Sequence, residues 1–212
     1  MEKRRFTWIW LFLGFFIFCS SANTMAATKE TSSLVGKETW NFNLTSTQDT
    51  LINYGDDYYG KSYLIMTFFP AAFTPVWTGE MQGHQKNYPI YASLNAQVVG
   101  VSRDDVVTLK YWVKKYKLTF PLLSNISGYL GDFYGVTGNE KFVFNRRTVI
   151  VDKKAIIRYA KDGSPNYEEI IATLRKLNQE DGGKWNKKMI ESGQTYLKII
   201  PIDVKISSFC WF

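Results

Sequence analysis

The stretch Tyr63-Leu64-Ile65-Met66-Thr67-Phe68-Phe69-Pro70-Ala71-Ala72-Phe73-Thr74-Pro75-Val76-Trp77 decides the reading of the fold. Its first seven residues are almost continuously apolar, which fits a central strand covered on both faces. Pro70 ends that run, since proline cannot donate to a strand ladder, and Thr74 is a residue type that caps a helix start. Val98-Val99-Gly100-Val101-Ser102 reads as a second strand of the same kind, and the residues between leave room for a crossover helix. Ser102-Arg103-Asp104-Asp105 has helix-start spacing, and Val106, Leu109, Val113 and Tyr116 recur along one face of the helix it opens.

Before the central strand, Trp40, Phe42 and Leu44 alternate with polar residues as a half-buried strand should, and a short strand over Thr50 to Asn53 follows. Gly55-Asp56-Asp57 and Gly60-Lys61 mark turns. After it, Thr148–Asp152 and Ala155–Tyr159 flank a tight polar turn and predict a hairpin. Ser164 as N-cap with Pro165 at the first helical position opens a helix whose apolar face is Ile170, Ile171, Leu174 and Leu177. From these elements a mostly parallel sheet with helices on both faces is the natural arrangement.

The chain has 212 residues, 45% apolar and 21% charged, which suits one compact domain with extensions and excludes a disordered or collagen-like polymer. One histidine, His84, and two cysteines, Cys19 and Cys210, cannot build a His/Cys-rich zinc site, nor a Ser-His-Asp triad unless His84 is its base. Residues 1–26 read as an export signal: Glu2-Lys3-Arg4-Arg5, a twelve-residue apolar run from Trp8 to Cys19, then small residues around Ala22 and Ala26. The run is shorter than the roughly 18 residues that span a bilayer. Removing the signal leaves Cys210 as the one thiol, so no intramolecular disulfide forms. Lys3, Arg4 and Arg5 against Glu2 hold +2 of the formal +7, and the remaining +5 lacks the dense Lys/Arg cluster expected of nucleic-acid binding. Asn43-Leu44-Thr45 and Asn125-Ile126-Ser127 match the glycosylation acceptor pattern, which matters only in a eukaryotic secretory route.

Four stretches, in order, carry a family resemblance. Pro70 and Thr74 hold the spacing of the Pro-x-x-x-Thr-x-x-Cys loop of the peroxiredoxins, the alkyl hydroperoxide reductase/thiol-specific antioxidant, redoxin-like branch of the thioredoxin fold. Val98–Ser102 is similar to that family's next strand, Phe120-Pro121-Leu122-Leu123 to its Phe-Pro-Leu-Leu segment, and Arg146-Arg147-Thr148-Val149-Ile150-Val151-Asp152 to its Arg-x-Thr-Phe-x-x-Asp strand. The resemblance covers about residues 35–178 and implies an α/β, thioredoxin-like mixed sheet with helices on both faces, followed by an extension over 179–212. It also implies a peroxidatic cysteine at position 77, where this chain has Trp77. In that family a thiolate in a helix's first turn attacks peroxide while the threonine and arginine, here Thr74 and Arg146, orient it and stabilise developing charge. An indole offers no such nucleophile, and the position five residues on is Gln82.

Two functional expectations follow. The first is an exported, periplasmic or secreted, peroxiredoxin-like protein that has lost thiol peroxidase chemistry and serves as a binding or support scaffold, with a degenerate site of Pro70, Thr74, Trp77 and Arg146. The alternative is a thiol-dependent peroxidase or redox partner using Cys210, although Phe209, Trp211 and Phe212 supply no cause for a lowered thiol pKa. On the first, Thr74 is a helix cap, Arg146 pairs with Glu80 or another carboxylate, and Trp77 fills the former pocket with Arg146 on its face. His84 reads as a surface residue on a helix that Pro89 interrupts or kinks. Gly182-Gly183 reads as a break, and Ile200 to Ile206 alternate as a strand that covers this domain or adds to a sheet edge. No cofactor, metal, nucleic acid or stable membrane span after signal removal is expected, and a homodimer or an unidentified protein partner is left open.

Overall fold

A computed structural model describes residues 34–138 and 142–191. In chain order the elements are β1 (Asn43–Ser46), β2 (Leu51–Asn53), α1 (Tyr54–Asp57), β3 (Tyr63–Phe68), α2 (Pro75–Ser93), β4 (Ala96–Ser102), α3 (Val106–Tyr116), β5 (Leu122–Ser124), α4 (Tyr129–Phe133), β6 (Arg147–Val151), β7 (Ile157–Asp162) and α5 (Tyr167–Glu191). The seven strands form one sheet in the order β2-β1-β5-β4-β3-β6-β7.

The sheet is mixed, as the resemblance implies, and not mostly parallel. Only β3–β4 and β4–β5 run parallel, while the other four pairings are antiparallel. The physical reason is connection length: the short links β1–β2 and β6–β7 close hairpins, and only connections long enough to hold α2 and α3 return a strand in the same direction.

Strand alternation divides the core. Leu64, Met66 and Phe68 face one cluster with Tyr54 of α1 and Leu130 of α4, while Tyr63, Ile65 and Phe69 face α2, α3 and α5. Ile170, Ile171, Leu174 and Leu177 are buried on that second face as their spacing implies. Trp112, which the periodicity of α3 did not mark, is the largest fully buried side chain among the described residues. Its ring packs 5.2 Å from Phe69, and its indole N–H donates to Thr78 Oγ1 at 3.2 Å.

Several boundaries differ from expectation. Asp105, not Ser102, caps α3 by accepting from the Thr108 backbone N–H, because Ser102 still belongs to β4. Asn166 Oδ1 accepts from Glu169 N at the start of α5, and Ser164 turns instead to Arg146. Helix α2 runs unbroken past Pro89, and α5 continues through Gly182 and Gly183. Trp40 precedes β1 and is exposed, resting on the Phe133 ring. Short β5 and α4 give no periodic signal of their own. Asn125, buried, accepts from Leu130 N and Gly131 N to start α4, which leaves its amide no place as a glycan acceptor in the folded chain.

His84 is not a surface residue. Its ring is completely buried, edge-on to Tyr167 at 5.2 Å, with Nδ1 3.4 Å from Tyr91 Oη. Burial lowers its pKa from 6.5 to about 3, so the imidazole is neutral. Among the described residues no helix is long and apolar enough to cross a membrane. The expected export signal, Cys19, the Ile200–Ile206 segment and Cys210 lie outside the described residues.

Candidate functional site

The site is built where β3 hands over to α2. Phe69 ends the buried run, and residues 70–74 turn the chain into the helix. Asp104 fixes this turn from the end of β4: its Oδ2 accepts from Ala72 N at 2.8 Å and from Ser102 Oγ at 2.9 Å. Phe73 adopts φ 60°, a left-handed conformation costly for a bulky side chain. Thr74 then takes the extended cap conformation and Pro75 the first helical position.

The structure separates the two roles expected of Thr74. Its backbone carbonyl accepts from Thr78 N at 3.0 Å, as a cap residue should. Its hydroxyl makes no cap bond, and Oγ1 is buried without a partner among the described residues. The hydroxyl's bonding capacity is therefore uncommitted.

Trp77 is the third residue of α2, in its first turn, half-buried against the core face that holds Phe69 and Trp112. Arg146, just before β6, lies over this indole with its guanidinium carbon 4.7 Å from the ring centroid. Its Nη1 donates to Glu80 Oε1 at 2.9 Å and to Ser164 Oγ at 2.6 Å. Glu80 sits one turn beyond Trp77, so one helix face presents the ring and the carboxylate to the same guanidinium. The Glu80 side chain is only 10% exposed, and its charge is matched by Arg146. Both pairings read from sequence, Arg146 with Glu80 and Arg146 on Trp77, are present together.

Helix α5 closes the arrangement. Tyr167 Oη donates to the Glu80 backbone carbonyl at 2.9 Å, and burial, reinforced by the Glu80 charge, raises its pKa to about 12. Gly83 makes room for this ring: a Cβ there would fall 2.1 Å from Tyr167 Oη. Sequence reasoning missed Ser164, Tyr167 and Asp104 as supports of the site. The first carried a helix-cap signal, and the others depend on contacts between distant elements.

Chemically, the cluster offers a cation stacked on an indole and a matched carboxylate, and the N-cap of the same helix adds a threonine hydroxyl without a partner among the described residues. No thiol occurs among the described residues, since Cys19 and Cys210 both lie outside them. Nor is there, among them, a group of three or more His, Cys, Asp or Glu side chains placed to hold a metal ion.

The family model described as AhpC/TSA family matches residues 35–160. A peroxiredoxin of Methanocaldococcus jannaschii is 33% identical over 139 residues, which cover 59% of this chain and 64% of that protein. Alkyl hydroperoxide reductase E of Mycobacterium tuberculosis is 32% identical over 110 residues, covering 51% of this chain and 72% of the relative. Among solved structures, reduced Plasmodium vivax 2-Cys peroxiredoxin superposes with a TM-score of 0.65 at 22% identity, covering 71% of this chain and 99% of that one. Enterococcus faecalis AhpC gives 0.62 at 24% identity, covering 79% and 99%. At these identities the superpositions establish the fold alone.

Proposed function

The chain belongs to the AhpC/TSA family, and from that premise we propose that it is an exported peroxiredoxin-like protein in which Trp77 stands at the peroxidatic position, thiol peroxidase chemistry has been lost, and the frame serves binding or support. The mycobacterial relative named above is an alkyl hydroperoxide reductase by name, and thiol-dependent peroxide reduction needs a thiolate which the loop around residue 77 lacks.

One observation carries the reading: the indole of Trp77 lies against Arg146 at 4.7 Å. A peroxidatic site needs a small, open position beside an arginine free to meet negative charge as the O–O bond breaks. Here that position holds the largest natural side chain, and Nη1 of the arginine is taken up by Glu80 and Ser164. What remains is an apolar ring and a cation in a fixed mutual arrangement, suited to recognition rather than to turnover. Export rests on the charged start and short apolar run of residues 1–26. A mature N-terminus between Asn23 and Thr28 in cell-derived protein is the expected result, and intact Met1 in a membrane fraction opposes it.

Replacing the ring by the family's nucleophile tests the assignment of position 77. Trp77→Cys sets a thiol in the first turn of α2, where the helix N-terminus favours thiolate. Its attack on hydrogen peroxide gives a cysteine sulfenic acid and releases water. A sulfenic-acid trap should label Trp77→Cys after peroxide addition and leave the parent unlabelled. A folded variant that never reacts would show that position 77 is not a peroxidatic position.

A further inference from the structure

His84 is sealed at the seam between α2 and α5, and the site makes no use of it. Its ring meets Tyr167 of α5 edge-on at 5.2 Å, Tyr91 of its own helix at 6.1 Å and Phe120, from the loop before β5, at 6.5 Å. Nδ1 lies 3.4 Å from Tyr91 Oη, and Nε2 is buried without a partner among the described residues. An imidazolium in this closed position would hold a buried N–H with no acceptor. The titratable groups facing the ring, Tyr91 and Tyr167, are pushed up by burial and stay neutral. Glu80, one turn earlier on α2, is matched by Arg146 from before β6, and Tyr88 stacks on Phe120.

Helix α5 is built to part from the sheet separately. It belongs to no strand ladder, so its departure breaks none. Ile170, Ile171, Leu174 and Leu177 form its apolar seat. Its ionic ties are all partly exposed: Glu169 to Lys161 at 2.8 Å, Glu180 to Arg158 at 2.7 Å and Asp181 to Lys153 at 3.4 Å. Ion pairs of that exposure hold weakly. The short link 163–166 joins α5 to β7, whose last residue, Asp162, is held by Arg147.

We propose that α5 and its seat on α2 form an acid-sensitive clasp: α5 lifts from α2 about the 163–166 link as a unit smaller than the whole fold, and the lifted form takes up a proton on His84 that the closed form excludes. Burial lowers the imidazole from 6.5 to about 3, so the closed form is favoured in full above pH 6.5 and progressively less as pH falls toward 3. Acidification shifts the population toward the lifted form through this difference in proton affinity. The lift withdraws Tyr167 from the Glu80 backbone carbonyl, the bond that ties α5 to the part of α2 carrying Trp77 and Glu80. The clasp does not depend on what the site binds.

Hydrogen exchange of the full chain, from about pH 7.5 to about pH 5 with each amide corrected for its intrinsic rate, separates the lift from global unfolding. Amides of α5 should show smaller protection factors than those of β3 and β4, which open only with the whole fold. Over that range α5 protection should fall about thirtyfold, the ratio set by one proton on a group that titrates at 6.5 when uncovered. Stopping at about pH 5 keeps carboxylate protonation out of the comparison. His84→Phe keeps an aromatic ring in the seam and removes the proton, so its α5 protection should stay flat. The parent series decides alone if that variant fails to fold. Protection in α5 equal to that of β3 and β4 at every pH would mean that α5 opens only with the whole fold. A pH-independent α5 protection would mean that His84 stays covered when α5 opens. Either result overturns the proposal, as does a thirtyfold fall that persists in folded His84→Phe.

Discussion

The guanidinium of Arg146 bridges two residues one turn apart on α2, stacking 4.7 Å from the Trp77 ring centroid and donating to Glu80 at 2.9 Å. Among the described residues Trp77 and Glu80 meet no other cation in this way, so the arginine fastens the first turn of α2 to the end of the sheet. The same interaction commits Nη1 of the arginine to Glu80 and Ser164.

Removing that fastener has a definite consequence. Arg146→Ala leaves the nearly buried Glu80 carboxylate unmatched and strips one face of the indole. It should destabilise by about 1–3 kcal/mol, less than a fully buried pair because Arg146 is a third exposed. Trp77→Ala should fall below the roughly 3–5 kcal/mol of a fully buried tryptophan, since the ring is only half-buried. Urea titration of the two single variants and the double variant gives the coupling, expected at ~0.5–2 kcal/mol for the stacked pair. Additive losses would mean that the contact contributes nothing.

His84 makes stability depend on pH. Its imidazole takes up a proton near pH 6.5 when unfolded and only near pH 3 when folded, because the ring is buried. Between those values the unfolded state binds the extra proton, so the contribution is full above pH 6.5 and is lost as pH falls toward 3. The slope approaches about 1.4 kcal/mol per pH unit. In His84→Leu this component should disappear. The parent's urea midpoint should therefore fall relative to the variant's as pH drops below 6.5, and a constant gap between them would contradict the assignment.

Gly83 gives a third expectation. Alanine there gains helix propensity, worth about 1 kcal/mol, but its Cβ would overlap the Tyr167 hydroxyl. The ring must then leave both the Glu80 carbonyl and the His84 edge. Gly83→Ala should be net destabilising by about 1 kcal/mol, and the same change in a Tyr167→Ala background should be neutral or stabilising. Thermal melts of the four proteins decide it; an equal effect in both backgrounds would place the ring elsewhere.

The legible parts of the sequence were those governed by local pattern. The buried run from Tyr63, the Ile170–Leu177 face of α5 and the β6–β7 hairpin all follow from apolar spacing and turn chemistry. Trp77 and Arg146 meet because β6 pairs beside β3, at the end of the sheet where α2 starts, and Thr74 sits at the N-cap of the same helix. What escaped was set by tertiary contact. His84 looks like any helical histidine until Tyr91 of its own helix, Tyr167 of α5 and Phe120 from the loop before β5 close around it. Trp112 carries no clear periodic mark because apolar neighbours on either side mask its i+3 relation to Leu109. Element order alone does not give sheet direction, because β1–β5 and β3–β6 pair antiparallel across long sequence separations in addition to the two hairpins.

The central claim, that a peroxiredoxin frame persists without its peroxidatic chemistry, is tested most directly by hydrogen peroxide consumption on the purified protein supplied with a thiol reductant. With Trp77 in place of the nucleophile, consumption should run no faster than in a control protein without thiols, and Cys210→Ser should leave it unchanged. Peroxide turnover by the parent that Cys210→Ser abolishes would contradict the account and establish a thiol peroxidase working through the C-terminal cysteine.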